Sequence, residues 1–263
     1  DGFSVETVSK SLSEDELIAK IKDVHVLGIR SKTNVTQRVV AAAEKLMVVS
    51  AFCIGTKQID LDACKEKGIV VFNAPYSNTR SVVELAIGEI IMLMRSVFQR
   101  STEIHNGQWN KTAEGSREVR GKKLGIVGYG NIGKQLSVLA EALGMDVCYY
   151  DVEDKLALGN ATKMNTLKDL LAISDVVTLH VDDNAANHNF FGAKEISQMK
   201  DGAHLVNLAR GFVVDISALV VALKSGKIAG AAVDVYPSEP RKNGDFYTEL
   251  KGLDNVILTP HVG

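Results

Sequence analysis

A chain of 263 residues, of which 46% are hydrophobic, can bury the core of one large α/β domain or of two smaller ones. Its formal net charge of -2 gives no electrostatic reason to expect a nucleic acid or an anionic membrane as a partner. Its three cysteines lack metal-ligand spacing, so we expect no metal site and reduced thiols in a cytoplasmic protein.

The first 77 residues alternate short apolar runs with helical segments, a pattern typical of a small parallel α/β unit. Ser13 followed by Glu16 forms a capping box and predicts a helix that ends near Lys22. A weaker pattern predicts a strand at residues 3–8. The remaining predicted elements of this part are strands at 24–29, 46–49 and 69–72 and helices at 36–45 and 61–67.

The pattern breaks at residues 73–75, and Ser81 with Glu84 predicts a second capping box. We expect the helix that follows to run to about Arg100 and to bridge two domains, at residues 1–77 and 78–263. Because the charged Glu84, Glu89 and Arg95 interrupt its apolar stretch, we expect a helix of a soluble protein and no membrane span.

The second domain begins a new series of strands after Gly121. Strands separated by helical segments are typical of a doubly wound parallel sheet, here with enough strands for a complete dinucleotide-binding (Rossmann) domain. The predicted strands lie at residues 123–127, 146–150, 175–180, 204–208, 229–233 and 255–258.

Residues 128–133 form a G-x-G-x-x-G sequence between the first of these strands and a helical pattern at 132–143. In this context Gly128 permits a sharp turn, Gly130 lets the backbone approach a pyrophosphate, and Gly133 lets the helix pack close to the sheet. The amides of the helix start, at Asn131 and Ile132, would then face the anion. The segment therefore predicts a dinucleotide cofactor.

Asp151 ends the next strand, 18 residues beyond Gly133. An acid there can accept hydrogen bonds from the ribose hydroxyls of the adenosine and would repel a 2′-phosphate. The next residues, Val152, Glu153 and Asp154, include no cation that could bind such a phosphate. We therefore expect NAD and not NADP as the cofactor.

Several polar residues follow strand ends, where open α/β sheets bind their ligands. His261 has a side chain suited to taking a hydroxyl proton, Glu239 could support the imidazolium that forms, and Arg210 could bind a carboxylate. From spacing alone, a histidine at this place can also be a polar rim residue, and an Arg-Gly pair can be a simple turn. His180 is expected to line the cofactor crevice without proton chemistry, and we interpret the other histidines as structural or surface residues.

The segments at residues 207–211, 234–240 and 255–261 resemble the D-2-hydroxyacid dehydrogenase family in sequence, order and spacing. The resemblance covers essentially the whole chain. It implies that residues 1–77 are a flavodoxin-like substrate-binding domain, incomplete at its start and lacking its usual C-terminal return segment, and that residues 78–263 bind NAD. It also implies a catalytic set and nicotinamide contacts, namely Arg210, Glu239 and His261 for catalysis, and Leu208, Ala209, Arg210, Asp234 and His261 for the cofactor, with Asp234 facing the carboxamide.

Within the family, the segments at residues 28–33, 72–84 and 106–111 are similar to those of members that act on 3-phosphoglycerate. The resemblance implies NAD-dependent oxidation of 3-phosphoglycerate to 3-phosphohydroxypyruvate, the first step of L-serine biosynthesis, by a homodimer or homotetramer that associates through the nucleotide-binding domain. Arg30, Ser31 and Asn78 would bind the carboxylate or phosphate end of the substrate, with Lys111 aiding the phosphate from a neighbouring subunit.

Two other functions remain compatible with the same catalytic set. One is a different activity within the family, such as a glyoxylate or hydroxypyruvate reductase or a D-lactate dehydrogenase. The other is an NAD-sensing corepressor with this fold, although the chain has no extended tail that would favour it.

Overall fold

The computed structural model describes residues 2–240 and 244–263, which form two compact units, Asp1–Asn78 and Thr79–Gly263. The sequence prediction placed the boundary after Ser77. In the first unit, parallel strands pair in the order β1-β2-β3. Its elements are α1 (Glu14–Ile21), β1 (Val26–Ile29), α2 (Gln37–Ala42), β2 (Val48–Ala51), α3 (Leu61–Glu66) and β3 (Val70–Asn73).

The capping box at the start of α1 is confirmed, with Ser13 and Glu16 each accepting a hydrogen bond from the other's backbone amide. The strand predicted at residues 3–8 is wrong. Phe3 and Val5 are 80% and 82% exposed, so this segment has no apolar face to bury against the sheet. The predicted helix at 36–45 ends earlier, at Ala42, and β2 lies two residues beyond its predicted position.

The second unit contains a seven-stranded parallel sheet in the order β10-β9-β8-β7-β4-β5-β6. The chain crosses back between β4 and β7, so the doubly wound fold predicted from the sequence is confirmed. The helices of this unit are α4 (Thr79–Met94), α5 (Val97–His105), α6 (Asn131–Ala142), α7 (Leu167–Ile173), α8 (Ala193–Gln198) and α9 (Ile216–Ser225). Its strands are β4 (Lys123–Val127), β5 (Asp146–Tyr150), β6 (Thr162–Lys163), β7 (Val176–Leu179), β8 (Ala203–Asn207), β9 (Ile228–Val233) and β10 (Val256–Leu258).

Alternate residues of the buried strands enter separate apolar clusters, because side chains of a strand point to opposite faces of the sheet. Leu124 and Ile126 of β4 pack with α4 and α6, whereas Val127 packs with α7, α8 and α9. Helices therefore cover both faces of the sheet. The carboxyl ends of the strands are left as the edge at which loops can gather.

The helix predicted from Ser81 to about Arg100 is wrong in two respects. It begins at Thr79, which is buried, and Glu84 forms an ion pair with Arg80 at 2.6 Å instead of capping the backbone. It also ends at Met94, and α5 starts after Ser96, whose φ of 52° lies in the left-handed region. The carbonyls that end α4 accept hydrogen bonds from a distant segment, Met94 O from Arg117 N at 2.6 Å and Arg95 O from Ser116 Oγ at 3.1 Å.

No helix within residues 2–240 and 244–263 is both long enough and apolar enough to cross a membrane.

Candidate active site

The glycine-rich turn joins β4 to α6, and its backbone leaves no room for side chains at two of its glycines. Gly128 has a φ of +92°, and a Cβ atom there would lie 2.5 Å from the carbonyl oxygen of His180. A Cβ on Gly133 would lie 2.4 Å from the carbonyl oxygen of Gly128. A Cβ on Gly130 would meet no described atom within 4 Å, so the tip of the turn faces open space. These positions fit a backbone that a ligand approaches from outside.

The start of α6 fits an anion. Its first turn leaves amide groups without intrahelical acceptors, since the hydrogen bond from Lys134 N to Gly130 O is the first of the helix. No side chain caps Gly130, whereas Asp215 and Thr166 cap α9 and α7 in the same unit. The uncapped amides, together with the helix dipole, favour a phosphate group at this place.

Asp151 follows β5 and holds the glycine-rich turn. Its carboxylate accepts a hydrogen bond from Tyr129 N at 2.7 Å and another from Glu153 N at 2.9 Å. Each carboxylate oxygen keeps further acceptor capacity, so the half-buried side chain can still bind hydroxyl groups of a ribose. The buried ring of Tyr129 stacks on Tyr149 at 3.7 Å and thereby fixes the turn against β5.

His180 directly follows β7 and lies beside the same turn. Its Nε2 atom lies 2.9 Å from Thr178 Oγ1, and its Nδ1 atom has no hydrogen-bond partner among the described residues. Burial lowers the pKa of His180 to about 4, so the ring is neutral at physiological pH. Thr178 was not singled out from the sequence, although its spacing of two residues from His180 places both side chains on one face of the strand.

The loop that follows β8 carries Arg210, and Asn207 shapes it. The Asn207 side chain accepts a hydrogen bond from Ala209 N at 3.1 Å and donates one to Arg210 O at 3.2 Å. Leu208 and Ala209 are buried, each 5% exposed. The Arg210 guanidinium donates to Ala209 O at 2.7 Å and has its Nε atom 3.8 Å from a carboxylate oxygen of Asp183. The loop thus fixes the backbone at the base of the arginine side chain.

Two of the predicted catalytic residues are in direct contact. His261 Nδ1 lies 2.7 Å from Glu239 Oε2, and the other carboxylate oxygen accepts a hydrogen bond from Tyr236 N at 3.1 Å. His261 N donates to Asp234 O at 2.8 Å, and the residue has a φ of 56°. Its side chain is 50% exposed. This arrangement orients the imidazole through Nδ1 and leaves Nε2 for a proton of another molecule.

Asp234 follows β9 and is 1% exposed. Its carboxylate accepts hydrogen bonds from Thr259 Oγ1 at 2.6 Å, Val262 N at 2.9 Å and Gly263 N at 3.0 Å. The side chain therefore links the end of β9 to the segment on both sides of His261. Its expected contact with a nicotinamide carboxamide stays a prediction.

Residues 87–263 match the sequence model of the family described as D-isomer specific 2-hydroxyacid dehydrogenase, NAD binding domain. The chain belongs to this family. The predicted family resemblance is thereby confirmed, and so is the assignment of the second unit to an NAD-binding fold.

Curated and solved relatives agree with this assignment. D-3-phosphoglycerate dehydrogenase from Haemophilus influenzae is 56% identical over 261 residues, which are 99% of this chain and 64% of the length of that protein. The crystal structure of a D-lactate dehydrogenase from Treponema pallidum has a TM-score of 0.86 and 30% identity, and the match covers 99% of this chain and 82% of that one. D-lactate dehydrogenase from Aquifex aeolicus, complexed with NAD and lactic acid, has a TM-score of 0.79 and 30% identity over 93% of this chain and 78% of its own.

Apart from Arg210, the residues expected to bind substrate lie outside the loops described so far. Arg30 and Ser31 are exposed directly after β1, and Asn78 is half-buried a few residues after β3. The carboxyl ends of these parallel strands lie at one edge of their sheet, so Arg30 and Ser31 lie at the edge from which the segment leading to Asn78 leaves β3. Lys111 is exposed in the irregular segment after α5. Their roles stay predictions. In the part of the chain that the structure describes, no three acidic, histidine or cysteine side chains gather in a way that could hold a metal ion.

Sequence reasoning missed a buried acid next to Asp234. The side chain of Glu89, on α4, is fully buried, and its Oε1 atom lies 3.5 Å from Thr259 Oγ1. Burial, and then the charge of Asp234, raise the pKa of Glu89 to about 7. Its position in an apolar helix was the only signal in the sequence, and that signal was interpreted only as evidence against a membrane span.

We expect the stability of the protein to fall as pH rises because of Glu89. The folded state retains a proton on this carboxyl that the unfolded chain releases above its ordinary pKa of 4.5. The stabilising effect is complete below that pH and is lost as pH rises to about 7. Over this range the free energy of unfolding should fall by at most about 3 kcal/mol. Glu89→Gln removes this titration, so thermal unfolding should show a larger gain in Tm at pH 8 than at pH 5.

Glu84→Gln is the matched control, because Glu84 is exposed on the same helix. Its effect on Tm should be small and similar at both pH values. A Tm difference between Glu89→Gln and the unmodified protein that is equal at pH 5 and pH 8 would contradict the assignment of a raised pKa to Glu89.

Proposed function

We propose that the full-length protein oxidises 3-phosphoglycerate to 3-phosphohydroxypyruvate with NAD, the first step of L-serine biosynthesis. The observation that carries the proposal is the 2.7 Å contact between His261 Nδ1 and Glu239, in the NAD binding domain of a 2-hydroxyacid dehydrogenase. The substrate is chosen from the 56% identity to the Haemophilus influenzae enzyme, which exceeds the 30% identity to the two D-lactate dehydrogenases. The chain spans 64% of the length of that relative, so the activity is proposed for the whole protein.

Oxidation of a secondary alcohol requires a base for the hydroxyl proton while a hydride leaves the carbon. NAD, when bound, accepts that hydride. His261 Nε2 takes the proton in this proposal, and the Glu239 carboxylate stabilises the imidazolium that forms. Arg210 binds the substrate carboxylate and aligns the carbon with the base, since a guanidinium can donate two hydrogen bonds to a carboxylate.

The cofactor fits the residues of the second unit. The uncapped start of α6 binds the pyrophosphate and Asp151 binds the adenosine ribose in this proposal. His180 supplies a neutral ring to the crevice beside Gly128. In this proposal the Asp234 carboxylate, at the end of β9, faces the carboxamide of the nicotinamide.

We also propose that a second copy of the chain covers α5, which buries none of its residues in the described structure. Phe98 and Ile104 on this helix are 44% and 52% exposed, and Trp109 beyond it is 83% exposed. Burying such apolar groups is the usual reason for association of protein surfaces. The resulting homodimer or homotetramer would associate through the nucleotide-binding domain.

A substrate panel with Arg30→Ala tests the choice of substrate. We expect the unmodified full-length protein to prefer 3-phosphoglycerate to D-lactate and D-glycerate. A charge-assisted hydrogen bond to a phosphate contributes about 1.5–3 kcal/mol, so Arg30→Ala should raise the KM for 3-phosphoglycerate by about one to two orders of magnitude. The loss on the unphosphorylated acids should be much smaller, because they do not use this cation.

Arg38→Ala is the control for the loss of a surface arginine in the same unit, since Arg38 is exposed and pairs with acids of α1. It should leave the KM values for 3-phosphoglycerate and for the unphosphorylated acids near those of the unmodified protein. Equal losses by Arg30→Ala on phosphorylated and unphosphorylated acids would assign Arg30 to the carboxylate or to the fold. Preference for glyoxylate, hydroxypyruvate or D-lactate would assign the protein to another activity of the family.

A further inference from the structure

Three loops of the candidate site meet at Tyr236, a residue that the proposed mechanism does not use. The first contact is with the loop of Arg210. A Cβ atom on Gly211 would lie 1.9 Å from the carbonyl carbon of Tyr236 and 2.1 Å from its oxygen. Only glycine allows the backbone after Arg210 to approach the backbone of Tyr236 so closely. The position of the Arg210 loop is therefore set against Tyr236.

The second contact is with Glu239. The backbone amide of Tyr236 donates a hydrogen bond to Glu239 Oε1 at 3.1 Å, while Glu239 Oε2 faces His261 Nδ1 at 2.7 Å. One carboxylate oxygen is thus fixed by the backbone and the other orients the imidazole. The rotation of the carboxylate depends on where the backbone at residue 236 lies.

The third contact is with the segment that leads to His261. The Tyr236 hydroxyl lies 3.1 Å from both Val233 O and Thr259 O and donates its single proton to them as a shared hydrogen bond. It therefore joins the ends of β9 and β10. Burial, followed by the charges of Asp234, Glu239 and Glu89, raises the pKa of Tyr236 to about 12, so the hydroxyl keeps its proton at physiological pH. The ring is held in turn by Phe246, edge to face at 4.7 Å.

His261 needs such support because of its backbone. A φ of 56° is uncommon for a residue with a side chain, costs free energy, and persists only where neighbouring contacts enforce it. The preceding Pro260 has no amide hydrogen with which to hold the turn. The Asp234 carboxylate bonds described above help to enforce it. So do the hydrogen bonds from His261 N to Asp234 O at 2.8 Å and from Thr259 N to Val233 O at 3.1 Å, and the Tyr236 hydroxyl.

We propose that Tyr236 is a positioning residue for the reaction, which fixes Glu239 through its amide and the turn that carries His261 through its hydroxyl. The proposal rests on the proposed dehydrogenase function. The hydrogen bonds of the hydroxyl go to the backbone carbonyls of Val233 and Thr259, and not to His261 or Glu239. Removal of the hydroxyl changes how often the His261 imidazole and the Glu239 carboxylate are aligned. It leaves the backbone contact between Tyr236 and the Arg210 loop in place.

Tyr236→Phe in the full-length protein tests the hydroxyl, because the substitution keeps the ring and its contact with Phe246. We expect kcat for 3-phosphoglycerate oxidation to fall about tenfold, with KM values for NAD and substrate within about twofold of the unmodified protein. Tyr247→Phe is the control, since that side chain is 77% exposed, and it should leave kcat unchanged. A Tyr236→Phe variant that lowers Tm but keeps kcat would overturn the proposal and leave Tyr236 a purely structural residue.

A double-mutant cycle separates positioning from a general loss of stability. If Tyr236 acts through the Glu239–His261 pair, the loss of kcat in Tyr236→Phe/Glu239→Gln should be clearly smaller than the product of the two single losses. A loss equal to the product of the two single losses would overturn the proposal.

Absence of turnover in the unmodified protein would count against the proposed function instead. In that case the NMR signal of the His261 Nδ1 proton tests the positioning role without turnover. We expect this signal in the unmodified protein, and we expect Tyr236→Phe to broaden or remove it. An unchanged signal would overturn the positioning role.

Discussion

His261→Asn in the full-length protein should lower kcat by about three orders of magnitude and leave the affinity for NADH within about twofold. Asparagine has no ring nitrogen that can take up a proton, so the hydroxyl of the substrate would lose its base. The main chain of residue 261 donates to Asp234 O at 2.8 Å whatever the side chain, which keeps the segment in place for the cofactor. Steady-state kinetics and fluorescence titration with NADH measure the two quantities.

Glu239→Gln should have a milder effect than His261→Asn. The amide oxygen can still accept the hydrogen bond from Nδ1, but it carries no charge to stabilise an imidazolium, so kcat should fall and the pH dependence of kcat should move. His25→Asn, at an exposed position just before β1, is the control for the loss of a histidine. Near-normal turnover by His261→Asn would rule out the proposed base, and an unchanged pH profile in Glu239→Gln would leave the carboxylate with no part in the proton transfer.

The sheet of the second unit was predictable because its strands are short apolar runs between clear turns. β4 and β5 lie at residues 123–127 and 146–150, as predicted, since the glycine-rich turn and Asp151 mark where they end. β6 was missed because its two residues, Thr162 and Lys163, are exposed and show no apolar pattern. Pairing with the edge of β5 makes them a strand, and that contact is invisible in the local sequence.

The end of α4 was missed for a similar reason. Val97 and Phe98 resume the apolar pattern directly after Arg95 and Ser96, so helical periodicity alone extends the helix. Ser116 and Arg117 stop it by hydrogen-bonding the last carbonyls from about twenty residues further along the chain. Tertiary contacts of this kind override local propensity.

The candidate site also contains residues that the sequence predicted and residues that it did not. Glu239 and His261 were singled out because catalytic residues follow strand ends, and the structure brings them within 2.7 Å. Glu89 and the hydroxyl of Tyr236 were missed because their relevance depends on contacts with Thr259, more than twenty residues away in sequence. The sequence therefore predicts the side chains that would react, whereas the groups that hold them emerge only from the packing of loops at the sheet edge.

Asp151→Ser should reverse part of the preference for NAD over NADP. Loss of the carboxylate removes charge-assisted hydrogen bonds to the ribose, each of about 1.5–3 kcal/mol, and removes the repulsion of a 2′-phosphate. The ratio of kcat/KM for NAD to that for NADP should therefore fall by about two orders of magnitude or more. Kinetics of the full-length protein with each cofactor measure this ratio.

The structure adds a second consequence of the same substitution. Asp151 also accepts hydrogen bonds from Tyr129 N and Glu153 N, one on each carboxylate oxygen. A serine therefore leaves at least one of these amides without a side-chain acceptor and loosens the glycine-rich turn. We expect this loss to raise the KM for both cofactors, which limits the gain in affinity for NADP. Asp154→Ser separates the effect of the loop's charge from that of the hydrogen bonds of Asp151. Asp154 is an exposed acid of the same loop that pairs with Lys163, and its replacement removes the same charge. If Asp154→Ser changed the cofactor ratio as much as Asp151→Ser, the preference would come from the overall charge of the loop and not from a hydrogen bond between Asp151 and the ribose.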